Sequence, residues 1–312
     1  MYGIEYFTTN IYNIIALIFA FVILTVGSIT DLKKREVADF VNYGLFFGAI
    51  GLRLLYSIYQ WDYMVLVEGL IGFFIAFTIG IVLFYTGQWG GGDSKMIIGL
   101  GVLFGLPMNI NVYVLLSSLF FAFLINSFVM GSFYGIAWSI YLAMKNKSKF
   151  LKEWKKNYNS KPLKFFEIFM ICICIFLVVY AHFGGALIYL LLIPSLLILS
   201  IVYLFAFSKS VEKCQMLKEM RVEEKPKSKL LKNLIMLTEG EWIAKDVKYK
   251  GKYICGPKDL GISKEQIEEL KKLGIKKVLV KVGIPFVPSF WLGFIFTFFF
   301  GNLLVLILTK IL

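Results

Sequence analysis

Residues 11–39 read IYNIIALIFAFVILTVGSITDLKKREVAD. Ile11 to Thr30 carry no charge, while Asp31 to Asp39 hold six charged side chains in nine positions. A bilayer-spanning helix needs about 20 mainly apolar residues, so this stretch predicts one membrane crossing that ends abruptly at a charged turn. No small-residue cleavage pattern follows it, and residues 1–10 carry no Lys or Arg. It reads as a retained first helix rather than a removed signal peptide.

Seven further apolar runs lie outward from it, at about 40–58, 63–86, 94–107, 112–143, 165–183, 186–207 and 286–310. The pattern predicts an all-α polytopic membrane protein with about eight transmembrane helices. The composition agrees: 59% hydrophobic and 17% charged residues, with a mean hydropathy of +0.76, exclude an ordinary water-soluble globule. The fourth run is short, and Gly99, Gly101 and Gly105 make it small-faced, which places it inside the bundle. The fifth is long enough to tilt or to extend beyond the membrane.

The formal net charge is +13, a value that points either to nucleic acid or to a membrane surface. Placing residues 31–39 in the cytoplasm and alternating sides puts 31 of the 33 basic residues on that side. Only Arg53 and Lys310 remain, near outer helix ends. The charge is therefore a topology signal, with both termini outside, the lipid bilayer as partner and no nucleic acid.

The chain divides on this reading into residues 1–207 with helices one to seven, a cytoplasmic insert at 208–283, and a last helix at 284–312. The insert reads as a small α+β unit: a charged helical run from Ser208 to Lys232, then a strand-like segment from Glu239 through Ile254. A helix at 264–273 follows, opened by a Ser263/Gln266 capping box and closed at Gly274, and Val278, Val280 and Val282 alternate as a strand. With no phosphate-binding glycine loop and no His, an accessory role is expected. Cys172, Cys174, Cys214 and Cys255 match no zinc spacing, so no metal and no cofactor is expected.

Ionisable residues at membrane depth are candidates for function, and few are present. Arg53 and Glu68 lie near the outer ends of adjacent helices and are expected to pair. His182, the only histidine, rules out a histidine triad or cluster. Asp31 ends the first helix, and Asp93 follows Gly90-Gly91-Gly92 at the start of the fourth. The bland readings are an Asp31 ion pair with Lys34 or Arg35, an N-cap at Asp93, and an N-cap at Asp39. The functional reading rests on the coincidence of two carboxylates on one membrane side beside glycines that bare the backbone and ease a turn. Two converging carboxylates share one proton, and the pair can activate water and polarise a carbonyl without metal, serine or histidine.

Gly90-Gly91-Gly92-Asp93 fits the GxGD motif of membrane aspartic peptidases, and Gly92-Asp93-Ser94-Lys95 resembles the GDxK continuation of the type IV prepilin and archaeal preflagellin peptidase family. Asp31-Leu-Lys-Lys-Arg-Glu-Val-Ala-Asp39 is similar to that family's first catalytic segment, and Ile284-Pro-Phe to Gly293 to the opening of its last helix. The resemblance frames nearly the whole chain and is least marked over 145–260. It implies a membrane aspartic endopeptidase that removes a short basic leader from pilin-like precursors at the cytoplasmic face. Asp31 and Asp93 would be catalytic, with Gly90, Gly92 and Lys95 supporting them and Asp39 or Glu36 contacting the leader. The loop after the first helix has no cysteine, which points to the archaeal branch and away from methyltransferase activity. The size of the middle region favours a prepilin over a preflagellin substrate. An intramembrane protease of the presenilin or signal peptide peptidase kind and a transporter are the alternatives, and the oligomeric state is left open.

Overall fold

The computed structural model describes residues 10–108, 112–184, 192–213, 217–222 and 234–311. The helices are α1 (Ile11–Lys34), α2 (Asp39–Gln60), α3 (Met64–Tyr85), α4 (Gly91–Phe104), α5 (Val112–Ser117), α6 (Leu119–Lys145), α7 (Lys147–Tyr158), α8 (Lys161–Gly184) and α9 (Leu192–Val211). Strands β1 (Leu217–Arg221), β2 (Trp242–Ile243), β3 (Val247–Tyr249) and β4 (Lys252–Cys255) follow, then α10 (Lys264–Lys272), β5 (Lys277–Lys281), α11 (Val287–Phe300) and α12 (Leu303–Ile311). Among the described residues, α1, α2, α3, α6 and the Lys161–Val179 part of α8 are long and apolar enough to cross a membrane. The protein is thus a largely helical chain of multi-pass membrane character with a small strand-containing insert.

The chain forms two compact units, residues 1–136 with 283–312 and residues 137–282. In the first, α4 is central. Met96, Ile97, Leu100 and Leu103 are fully buried and share a core with Leu24 of α1, Leu45 of α2, Ala76 of α3 and Phe290 of α11. Small residues let the helices approach: a Cβ on Gly72 would overlap the Gly101 carbonyl oxygen, and one on Gly101 would overlap the Ala76 Cβ. The short, small-faced fourth run therefore packs inside the bundle as its glycines suggest. Its 14 residues span about 21 Å, less than the hydrocarbon layer.

Because α4 stops inside the bundle, its last carbonyls need donors that no helix turn supplies. Arg53, 3% exposed, provides them: Nε donates to the Val102 carbonyl at 2.5 Å and Nη2 to that of Leu103 at 3.4 Å, while Nη1 donates to Val65. The Tyr12 hydroxyl adds a 2.5 Å bond to the Leu103 carbonyl. The expected Arg53–Glu68 pair is present only at 4.0 Å, since the guanidinium is spent on the backbone. The last apolar run is likewise broken in two between Phe300 and Leu303. Asn126 bridges the break, its Nδ2 donating to the Gly301 carbonyl and its Oδ1 accepting from Leu303 N–H.

In the second unit, α7, α8 and α9 pack together, and the insert forms an antiparallel sheet of order β1-β5-β2 beside a β3-β4 hairpin. The charged run from Ser208 does not continue as a helix, because residues 217–221 pair with β5 as a strand. Alternation brings Met220, Val278 and Val280 into one core with Ile254 and Leu270. The Ser263/Gln266 capping box forms as expected, with Gln266 Oε1 accepting from Ser263 N–H at 2.9 Å. Cys214 and the side chains of His182 and Lys310 lie outside the described residues.

Gly72→Ala is expected to lower the thermal unfolding midpoint in detergent, at a cost of about 1–3 kcal/mol, because the overlap is with rigid backbone. Gly44→Ala, where nothing lies within 4 Å, leaves the midpoint unchanged or higher.

Candidate active site

Asp31 lies one turn before the end of α1 and is 4% exposed. The helix ends at Arg35, which adopts the left-handed conformation (φ 60°) while its N–H returns to the Asp31 carbonyl. The Arg35 guanidinium donates to the Gly283 carbonyl at 2.6 Å. The Asp31 carboxylate reaches past Lys34 and Arg35 to accept the N–H of Val287 at 2.9 Å. Val287 opens α11, whose first N–H groups have no intrahelical acceptor and present positive partial charge. The side chain thus anchors a helix 256 residues away in sequence rather than forming a local ion pair.

Asp93 is not the N-cap of α4; Gly90 is, and Asp93 stands at the third helical position. Its Oδ2 accepts the Gly90 N–H at 3.1 Å, the carboxylate half of a capping box. The three glycines are not left-handed; the turn's positive φ falls at Gly87 (70°). Gly92 matters for another reason, since a Cβ there would lie 3.1 Å from the Val37 Cβ in the link between α1 and α2, a tight approach. The first and fourth helices also meet one turn deeper, where a Cβ on Gly27 would lie 2.7 Å from Met96 Cε.

The two aspartates lie within each other's electrostatic reach, and Tyr134 of α6 and Arg35 lie within that of Asp31. Lys95 does not join them. Its Nζ lies 3.0 Å from Asp39 Oδ1 and 5.4 Å from the Tyr43 ring centroid, tying α4 to α2 on an exposed rim. Asp39 is accordingly the first residue of α2, with Ala38 as N-cap, and its carboxylate serves Lys95.

Trp89, unmarked by any motif although it directly precedes the glycines, closes the arrangement. Its ring, 5% exposed, stacks on Phe128 at 5.8 Å, meets Phe290 edge-on at 5.2 Å and lies 5.6 Å from Phe286. The turn that carries Gly90 and Asp93 is thereby fixed against the start of α11, the same helix end that Asp31 holds. Among the described residues no group of three or more His, Cys, Asp or Glu could hold a metal ion.

Residues 18–136 match the model of the type IV leader peptidase family. Over that stretch the chain is similar to this family. A preflagellin peptidase of Methanocaldococcus jannaschii is 32% identical over 128 residues, covering 39% of this chain and 54% of that protein. One of Methanococcus maripaludis is 35% identical over 97 residues, 30% of this chain and 42% of that protein. One of Methanococcus voltae is 32% identical over 80 residues, 26% and 34% respectively. The chain spans about half or less of the length of these curated relatives. No solved structure matches it. The leader-peptidase stretch contains Asp31, Trp89, Asp93 and Tyr134, whereas Val287, which holds the Asp31 carboxylate, lies outside it.

Asp31→Ala leaves the Val287 N–H buried without its acceptor and is expected to cost about 1–3 kcal/mol. Asp31→Asn keeps a carbonyl oxygen in place and is expected to unfold near the wild-type midpoint in detergent.

Proposed function

We propose that this chain is a membrane-embedded aspartic endopeptidase that removes leader peptides from precursors of pilin-like subunits at the cytoplasmic face. The observation that carries the reading is that Asp31 and Asp93 each have a carboxylate oxygen tied to a helix-start N–H, with Trp89 beside Gly90 packed on Phe286 and Phe290 beside Val287. The match of residues 18–136 to the type IV leader peptidase family supports it. On this reading α9, the broken last helix and α4, which carries the chain across although shorter than the hydrocarbon layer, join the five long helices, and the distribution of Lys and Arg argues for aspartates on the cytoplasmic side.

In this mechanism the pair holds one proton, because two adjacent carboxylates resist double ionisation. The ionised carboxylate takes a proton from a water molecule as the water oxygen bonds to the scissile carbonyl carbon. The protonated carboxyl donates its proton to the carbonyl oxygen, which gives a neutral gem-diol. Collapse of the diol breaks the C–N bond: the carboxyl protonated by the water gives its proton to the departing nitrogen while the other carboxylate takes one from a diol hydroxyl, which restores the shared-proton pair. The backbone N–H groups of Val287 and Gly90 orient the two carboxylates throughout, and the Trp89 aromatic contacts keep the two supports in register. Lys95 acts at a distance, holding α4 to α2 through Asp39.

The names of the relatives favour archaellin-type precursors over other pilin-like ones as a second reading of substrate. Co-expression with precursors of both kinds, followed by the mass of the mature N-terminus, separates the two and reports any methylation; an unmethylated terminus is expected. Asp31→Asn and Asp93→Asn, each inserted in the membrane at the wild-type level, are expected to slow cleavage about a hundredfold to ten-thousandfold. Full cleavage by either variant refutes the dyad.

A further inference from the structure

The second unit carries a charged feature that the peptide chemistry does not use. Helix α7 joins α6 to α8, both long and apolar enough to cross a membrane, through connections of only Asn146 on one side and Asn159-Ser160 on the other. It is therefore held at the level where those two spans end. Its 12 residues, KSKFLKEWKKNY, divide sharply by face. Phe150, Trp154 and Tyr158 repeat every four residues and form a continuous aromatic stripe, with ring centroids 6.2 and 6.1 Å apart. At about 100° per residue, Lys149, Lys152 and Lys156 fall opposite the stripe and Lys155 on its flank.

The stripe already has a partner. Phe150 and Trp154 meet Phe207 of α9 at 5.3 and 6.2 Å, Tyr158 meets Tyr203 at 6.2 Å, and Asn157 Nδ2 donates to the Ser210 hydroxyl at 2.7 Å. Tyr203, Phe207 and Ser210 share one side of α9, so α7 packs against the flank of that helix's last turns rather than across its tip. The opposite face consequently points away from α9. All four lysines are exposed. Among the described residues none forms an ion pair, whereas Lys164, Lys252, Lys264, Lys277 and Lys281 all do. Glu153 is the only acidic residue of α7.

We propose that the Lys149, Lys152, Lys155 and Lys156 face of α7 is a binding surface for the anionic headgroups of surrounding phospholipids. Amphipathic helices with aromatic residues on one side and lysines on the other bind in this way at the interface, and flexible lysine stems let the ammonium groups settle among phosphates. A lysine near an anionic surface contributes roughly 1 kcal/mol, or about fivefold in affinity. The aromatic stripe fixes the orientation and the lysine face selects the lipid charge.

The test uses the full chain reconstituted in nanodiscs of zwitterionic phosphatidylcholine, or with part of that lipid replaced by anionic phosphatidylglycerol. Acetylation rates of the four lysines are read by mass spectrometry. Slowing of several-fold in the anionic discs is expected, reversed by about 1 M salt as the Debye length shrinks to about 3 Å. Replacing all four by Gln, which leaves the aromatic stripe intact, is expected to reduce the phosphatidylglycerol that remains bound on gentle detergent extraction. Equal acetylation in both discs overturns the proposal, as does equal slowing in phosphatidylcholine discs by soluble glycerol phosphate, which would mark a small-anion site instead. These readouts do not depend on any peptide being cleaved.

Discussion

The Asp31 carboxylate accepts the Val287 N–H at 2.9 Å while only 4% of the residue is exposed. Water has little access to replace that bond, so the end of α1 and the start of α11 are fixed to one another. Everything else at the site refers to this junction. Phe286 and Phe290, which flank Val287, receive the Trp89 ring, and Trp89 precedes the glycine whose N–H Asp93 holds. A carboxylate at a helix start is favourable in its own right, and here two of them use separate helix starts, those of α11 and α4. The structural role of Asp31 does not compete with the proposed catalytic one. It orients the group that the chemistry requires.

The far end of α4 obeys a related constraint. A helix that stops inside an apolar bundle leaves carbonyls that lipid cannot satisfy, and Arg53 and Tyr12 supply the missing donors to Val102 and Leu103. The charge at membrane depth is retained because the helix is short. The helix is short, in turn, within a bundle where Gly72, Ala76 and Gly101 allow backbones to approach more closely than larger residues would. Asn126 performs the same service where the last apolar run breaks. Side chains that look out of place in a hydrophobic sequence are thus the ones that terminate its helices.

Much of this is legible in the chain. Twenty uncharged residues ending in Asp31 mark a helix and its boundary, and three glycines before Asp93 mark another. The Ser263/Gln266 box and the alternating valines of β5 appear where their local patterns place them. The departures share a physical cause. By charge and spacing Lys34 or Arg35 suits Asp31, and Asp39 suits a cap. In each case the group that won is distant in sequence or is a backbone atom, and backbone atoms carry no letter in the sequence. The charges of the run from Ser208 suit an exposed helix, yet pairing with β5 overrides that preference at Leu217–Arg221.

By itself the sequence determined which segments are apolar enough for the bilayer, how unevenly the basic residues are shared among the connections between them, and which two aspartates stand at helix ends. Hydropathy and charge act locally along the chain, so they survive without coordinates. Only the tertiary structure decided that Val287 holds Asp31, that Trp89 joins the two halves of the site, that Lys95 serves Asp39, and that α7 presents its aromatics to α9 and its lysines outward. Hydrogen bonds and ring contacts select partners by distance and direction, and both exist only after the helices have packed.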